Sequence, residues 1–410
     1  MRQEENNDRN EARPPMEHLK GALRTYTWGS RTLLADLRGT ASPASTPEAE
    51  LWFGAHPAAP STIDGRGLDE LIAADPRGAL GERVVEKFGE QLPFLVKLLA
   101  AGAPLSLQAH PSKEQALAGF QREEDSGLDL HDPRRNYKDP NHKPELIVAL
   151  TPFQALAGFR PFSRTAELLA VLDAPGLNRY TTMVDPEDEE ASLRALFTTL
   201  ISLPRKAAVA LVEEVEQRAR EVVQGELEEW MREVLTMYLE LVEAYPGDIG
   251  ALAALLLNYF NLQPGEALYL DAGQLHAYQH GLGVEIMANS DNVLRGGLTS
   301  KHVDVPELVR VLKFHALTSP RPETSTSETG EEFILPIEDF RLGRHRLAGE
   351  ATLKVNTDGP AIVLCTDGEA IGSGQCVLRP GEAVWIPASD PRPEFRAREG
   401  GQAELFYASV

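Results

Sequence analysis

Residues 162–256 read as one helical stretch set between two strand-rich stretches, and that interruption limits the architecture more than any other feature of the chain. The segments "TAELLAVLDA", "EDEEASLRALFTTLISL", "RKAAVALVEEVEQRAREVVQGELEEWMREVLTMYLELVEAY" and "IGALAALLLNYF" carry helical periodicity with few breakers. Trp230, Val234, Met237 and Leu241 recur at helical spacing and are expected to form a helix core, not a cofactor box. Before this block the text is broken by Gly and Pro into short apolar runs: "LPFLVKLLA", "PLSLQAH", "PELIVAL" and "FQALAGF". Runs of this length between turn signals predict strands, while "LDELIAAD" and "SKEQALAGF" predict helices. After Asn261 the turns return, so the helices are expected to be an insertion.

An internal echo says what the strands build. "PGEALYLDAGQLH" at 264–276 is answered by "PGEAVWIPASDPR" at 380–392, each a Pro-Gly turn, an acidic residue, an apolar strand and another turn. Recurrence of that signature suggests two units of double-sheet jelly-roll type. The first copy ends in His276 and the second in Arg392, so only the first unit is equipped for a metal.

A chain of 410 residues exceeds one ordinary hydrophobic core and implies two or three domains. No apolar run approaches the ~20 residues of a membrane helix. The polar opening "MRQEENNDRNEARPP" lacks a secretory apolar stretch, so residues 1–15 are expected to be a disordered tail. Two cysteines, Cys365 and Cys376, make no disulfide framework, and a reducing cytoplasm is expected. A net charge of −22 disfavours nucleic acid and anionic membrane, so an anionic ligand needs a local cationic pocket.

The chemistry-bearing residues cluster at strand ends. Side chains alternate faces in a strand, so Gln108 and His110 point the same way, as do Lys143 and Glu145. His276 follows "YLDAGQL" at a strand-to-turn junction. Gln108, His110, Glu145 and His276 together would supply two nitrogens and two oxygens, a set that suits zinc, with manganese, iron or cobalt as substitutes. Taken singly, each pair also reads as a hydrogen-bonded core pair or a surface ion pair. The other histidines form no competing cluster; His56, in "WFGAHP", is the one rival and is expected to order a loop. Glu285, Asn289, Asp291, Asn292, Arg295 and Lys301 crowd a stretch without hydrophobic period, which is either an exposed loop or a pocket lining.

In order along the chain, "YTWGS", "ELWFGAHP", "LPFLVKLL", "PLSLQAHP", "DPNHKPE", "DAGQLHAY" and "VEIMANSDNVLRGGLTSKHVDVPEL" resemble type I mannose-6-phosphate isomerase, also called phosphomannose isomerase. Thr27, Phe53 and the longer loop 121–138 depart from the family pattern without removing a chemical group, and the tail lies outside the resemblance. The resemblance implies a mainly β chain of two cupin-type jelly-roll units with an α-helical insertion. Residues 16–161 and 257–318 would form the catalytic unit, 162–256 the helical domain, and 319–410 a C-terminal β domain without metal.

It also implies one zinc per chain, held by Gln108, His110, Glu145 and His276, and reversible conversion of mannose 6-phosphate to fructose 6-phosphate. Arg295 matches the catalytic arginine, and Lys97, Ser106, Lys143, Glu285, Asp291 and Lys301 match pocket residues. An aldose–ketose interconversion moves protons through a cis-enediol and needs a base and a stabiliser of negative charge. Arg295 would stabilise the enediolate, and Glu285, Asp291 or Lys143 would move the proton. Lys97, Lys301 and Ser106 would bind the phosphate. The implied partner is a phosphorylated hexose, the implied setting cytoplasmic mannose metabolism and GDP-mannose precursor supply, and the implied state a monomer or weak homo-oligomer. An iron-dependent cupin dioxygenase and a non-catalytic sugar-binding protein are the rival readings.

Overall fold

The computed structural model describes residues 16–410 except 182–184, 186, 356–357 and 391–392. The expected tail at 1–15 and Arg392 therefore lie outside the described residues. Helix and strand take equal shares, about 30% each, so a mainly β description understates the helices. The 162–256 block supplies most of the helix, and short capped helices between strands add to it. Asp75 caps Pro76–Leu80 through the Gly78 N–H, and Asp304 caps Val305–Val311 through the Glu307 N–H. At Ser112 a reciprocal capping box with Gln115 starts the helix Lys113–Asp125 directly after the His110-Pro111 corner. No single described helix is long and apolar enough to cross a membrane.

One strand organises the first sheet system. His276–Ala288 lies, along its second half, between Phe94–Ala101 and Glu145–Ala149; along its first half it faces Phe153–Phe159 and, at His276, the short strand Leu107–Ala109. The register shifts between Tyr278 and His280, where the strand passes from one set of partners to the other. Gly281 makes the bend possible: its φ is +125°, and a Cβ there would sit 2.7 Å from the Pro152 carbonyl oxygen. The consequence for function is that residues from four strands share one concave face.

The helices of the 162–256 block pack as their periodicity predicts. Val234, Met237 and Leu241 are buried, whereas Trp230 is half-buried beneath the Arg164 guanidinium. Their core is continuous with Leu107, Leu156, Phe159, Leu294 and Phe314 of the sheet region. The block also braces the loops around the concave face. Tyr245 donates its hydroxyl to the Pro104 carbonyl at 2.7 Å, and Asp248 accepts the Thr299 N–H at 3.2 Å. Gly250 backs onto Gly297 and Leu298 so closely that a Cβ would meet the Leu298 nitrogen at 2.7 Å.

The C-terminal stretch forms a seven-stranded sheet, including Arg341–Ala348, Ala361–Gly368, Ala383–Ile386 and Gln402–Ser409, together with a four-stranded sheet. Glu17–Leu19, at the head of the stretch expected to be catalytic, pairs instead with Ala383–Ile386, Glu17 opposite Trp385. The two PGE turns make matching bonds. Gln263 N–H reaches the Glu266 carboxylate at 2.8 Å and Arg379 N–H the Glu382 carboxylate at 2.9 Å. Gly265 N–H donates to Ala149 O at 2.8 Å, and Gly381 N–H to Cys365 O at 2.9 Å. The sequence echo is thus a repeated local structure, with an acidic side chain closing each turn and a glycine at positive φ.

Candidate metal centre

His110, at the end of Leu107–Ala109, Glu145, at the start of Glu145–Ala149, and His276, at the start of the long strand, are all buried and meet at one point. Glu145 Oε2 lies 3.4 Å from His110 Nε2 and 3.3 Å from His276 Nε2. These three atoms are buried and have no hydrogen-bond partner.

The chemistry of the three atoms explains their isolation. His110 Nδ1 lies 2.8 Å from the Asn292 carbonyl oxygen, and His276 Nδ1 2.9 Å from that of Gln274. A carbonyl oxygen only accepts, so each Nδ1 carries the proton and each Nε2 of a neutral ring presents a lone pair. Burial pushes the His110 imidazole down to about 4, against the pull of Glu145, so that ring is neutral at physiological pH. Burial alone would raise the Glu145 carboxyl; the charge of Lys143 leads the opposing effects, and the carboxyl is held well below the usual carboxylate range. Lys143 Nζ binds the other oxygen, Oε1, at 3.0 Å and leaves Oε2 to face the rings. Three lone-pair donors aimed at one point in a buried site repel one another unless a cation joins them. Bonds of ~2.0–2.1 Å at tetrahedral angles give ligand–ligand edges of ~3.3–3.4 Å, which the observed separations match.

Gln108 is half-buried with its Cα opposite both His276 and Arg295, so the three side chains leave the sheet on one face. Above this floor opens a cavity of about 700 Å³. Lys97, Ser106, Gln108, Lys143, Glu145, Glu285, Asp291, Arg295 and Lys301 all line it, so nine residues from four motifs share one chamber.

The cavity's charges fall into two groups. Lys97 is buried between Glu285, at 3.1 Å, and Glu50, at 3.7 Å. Burial lowers its pKa, and Glu50, Glu285 and Glu145 more than reverse that. Burial raises the Glu285 carboxyl, and Glu145 and Glu50 add to the rise against Lys97. Asp291, exposed at the mouth, is 3.3 Å from His56 Nε2; burial raises its carboxyl, but the His56 hydrogen bond prevails and lowers it. Arg295 is half-buried and pairs with no carboxylate among the described residues. Burial lowers its pKa, and its charge helps burial to lower that of Lys301. These two cations are the ones not already neutralised.

Several wall residues were not singled out from the sequence. Glu50 and Trp52 line the chamber, with Trp52 Nε1 donating to Glu50 at 2.8 Å. Tyr278 contributes a buried hydroxyl without a partner, and Tyr245 comes from the helical block. His56, read as ordering a loop, accepts the Ala58 N–H on Nδ1 and faces Asp291 in the wall. Trp52 and His56 lie in the quoted motif "ELWFGAHP", which was the available signal.

Comparison with known proteins follows the same lines. Residues 16–162 match the phosphomannose isomerase type I catalytic domain. The mannose-6-phosphate isomerase of Escherichia coli K12 is 39% identical over 387 residues, covering 92% of this chain and 95% of its own length. The chain belongs to the type I phosphomannose isomerase family. The human mannose-6-phosphate isomerase is 34% identical over 394 residues, covering 88% of this chain and 90% of its own. A zinc-bound crystal structure of mannose 6-phosphate isomerase has a TM-score of 0.86 at 36% identity, covering 97% of this chain and 99% of that one. The apo form from Salmonella typhimurium gives the same TM-score and identity. Within this phosphomannose isomerase family member, His276, Arg295 and Lys301 lie beyond the matched residues 16–162: Arg295 and Lys301 line the cavity from the strand Leu294–Gly297 and the segment after it, and His276, at the start of the long strand, joins Glu145 beneath it.

Proposed function

We propose that this chain interconverts D-mannose 6-phosphate and D-fructose 6-phosphate by zinc-assisted proton transfer through a cis-enediol. The observation that carries the reading is the convergence of three partnerless buried atoms, on His110, Glu145 and His276, just beneath a chamber that Glu145 itself lines and whose free charge is cationic. Those residues would hold the zinc, with Gln108 as the fourth, neutral ligand. Bound there, zinc supplies Lewis-acid polarisation and a template for the sugar oxygens.

The chain's own side chains divide the remaining work. Lys143 fixes the Glu145 carboxylate by its outer oxygen and, lining the chamber, takes part in moving the proton between the sugar oxygens. Arg295 and Lys301, the uncompensated cations, receive negative charge: Lys301 with Ser106 at the phosphate, and Arg295 at the phosphate or the developing enediolate. Lys97, already committed to two carboxylates, orients Glu285 and the sugar hydroxyls near it. Of the carboxylates, Glu285 is the better-tuned proton acceptor because its pKa is raised toward working pH, whereas that of Asp291 is lowered.

The division into a catalytic cupin-type jelly roll, an inserted helical domain and a C-terminal cupin-type unit belongs to the same proposal, supported by the matching PGE turns. So does a place in cytoplasmic mannose metabolism and GDP-mannose precursor supply, with free Cys365 and Cys376 in keeping with a reducing setting. The test is conversion of mannose 6-phosphate by the purified, zinc-loaded chain, followed by NMR of both sugars. Fructose 6-phosphate at equilibrium ratio supports the reading; unchanged substrate refutes it.

A further inference from the structure

The segment 289–292 does more than bring Asp291 to the cavity. Asn292 is completely buried, and its side chain is used to capacity. Its Oδ1 accepts the Lys138 N–H at 2.7 Å and the Asp139 N–H at 3.2 Å. Its Nδ2 donates to the Asp139 and Asn141 carbonyl oxygens at 2.7 and 2.8 Å. Two donors on one side and two acceptors on the other fix the amide's orientation, since a flip would set oxygen against the two carbonyls. The same residue's backbone carbonyl takes the Nδ1 proton of His110. Ser290 supports the link, donating to Asn141 O and accepting the Asn292 N–H, both at 3.2 Å.

From this geometry we infer that Asn292 is a positioning residue for the metal centre, joining two ligands that reach the site from different strands. Its side chain clips down residues 138–141, the backbone that leads through Lys143 into Glu145. Its main chain fixes the tautomer and ring plane of His110. Displacing Asn292 therefore moves a carboxylate and an imidazole relative to each other, and orienting partners of this kind govern metal affinity. The inference rests on the zinc reading above and adds a residue that touches neither metal nor sugar.

Asn292→Asp keeps the shape but sets an oxygen against two carbonyl oxygens. Zinc affinity is measured by competition with a chromophoric chelator, alongside the melting temperature of the metal-free protein and the His110 Nδ1 proton resonance. The expected result is a zinc affinity ~10–100-fold weaker than wild type, with the Nδ1 proton shifted or lost to exchange. Should the aspartate fail to fold, Asn292→Ala gives the same readout without a charge. A variant that melts earlier but binds zinc within twofold of wild type, with the Nδ1 proton unmoved, would overturn the inference and leave Asn292 a purely structural clip. A wild-type chain that takes up no zinc would overturn the zinc reading and this inference with it.

Discussion

The Lys97 ammonium lies 3.1 Å from the Glu285 carboxylate, with both side chains buried in the cavity wall, and Glu50 approaches the same nitrogen at 3.7 Å. One cation thus serves two buried carboxylates inside a cavity that must also admit an anionic sugar. Removing one partner of such a cluster strands the others without solvent. Lys97→Met is expected to destabilise the fold by ~3–5 kcal/mol, as truncation of a buried ion pair does, and to lower turnover. Chemical denaturation of the variant checks this, and a loss below ~1 kcal/mol would show that water already screens the pair.

Lys301 stands at the opposite pole. It is exposed at the rim and has no carboxylate partner among the described residues. Lys301→Ala is expected to leave zinc content and melting temperature unchanged while raising KM for mannose 6-phosphate by about tenfold, the low end for losing a hydrogen bond to a charged group. Mannose without its phosphate should be a poor substrate for both proteins and lose little further in the variant. Equal losses on the two sugars would remove Lys301 from the phosphate site.

For Lys143, held 3.0 Å from Glu145 Oε1, the expectation separates chemistry from metal binding. Lys143→Ala should retain zinc, measured by metal analysis, yet lose turnover by ~10²–10⁴-fold if the ammonium takes part in proton transfer. Near-normal turnover would reduce Lys143 to a support for Glu145.

Stability should also depend on a histidine far from the cavity. His345 is buried, its Nδ1 2.9 Å from Thr329 Oγ1 and its Nε2 without a partner, and burial pushes its pKa down to about 4. The unfolded chain binds that proton near pH 6.5 and the folded chain only near 4, so folding stability falls as pH drops through that window. At about 1.4 kcal/mol per pH unit the full contribution is about 3 kcal/mol. His345→Gln should flatten the stability profile between pH 6.5 and 4; an unchanged slope would place the proton elsewhere.

What the sequence disclosed, and what it did not, follows from the range of the forces involved. Gln108 with His110, and Lys143 with Glu145, were legible because strand alternation sets faces over two residues. The helical block was legible because its period is local, although Trp230 turned out half-buried under Arg164. The wall of Glu50, Trp52 and Tyr278 was not legible as a wall. Its existence depends on cross-strand register, Trp52 opposite Lys97 and Lys97 opposite Glu285, which no local pattern encodes. The pairing of Glu17–Leu19 with Ala383–Ile386 was hidden for the same reason, since three residues carry too little pattern to name a distant partner. The commitment of Lys97 to two carboxylates likewise emerged only with the fold, and it shifts the expected phosphate contacts toward Lys301 and Arg295.

A cation is expected to join His110, Glu145 and His276, and turnover to depend on it. The most direct test removes the metal with a chelator, verifies its absence by elemental analysis, and then restores zinc stepwise while following conversion of mannose 6-phosphate. Activity should vanish in the metal-free protein and return in proportion to zinc, reaching its maximum at one ion per chain. Full turnover in the verified metal-free sample would contradict the account.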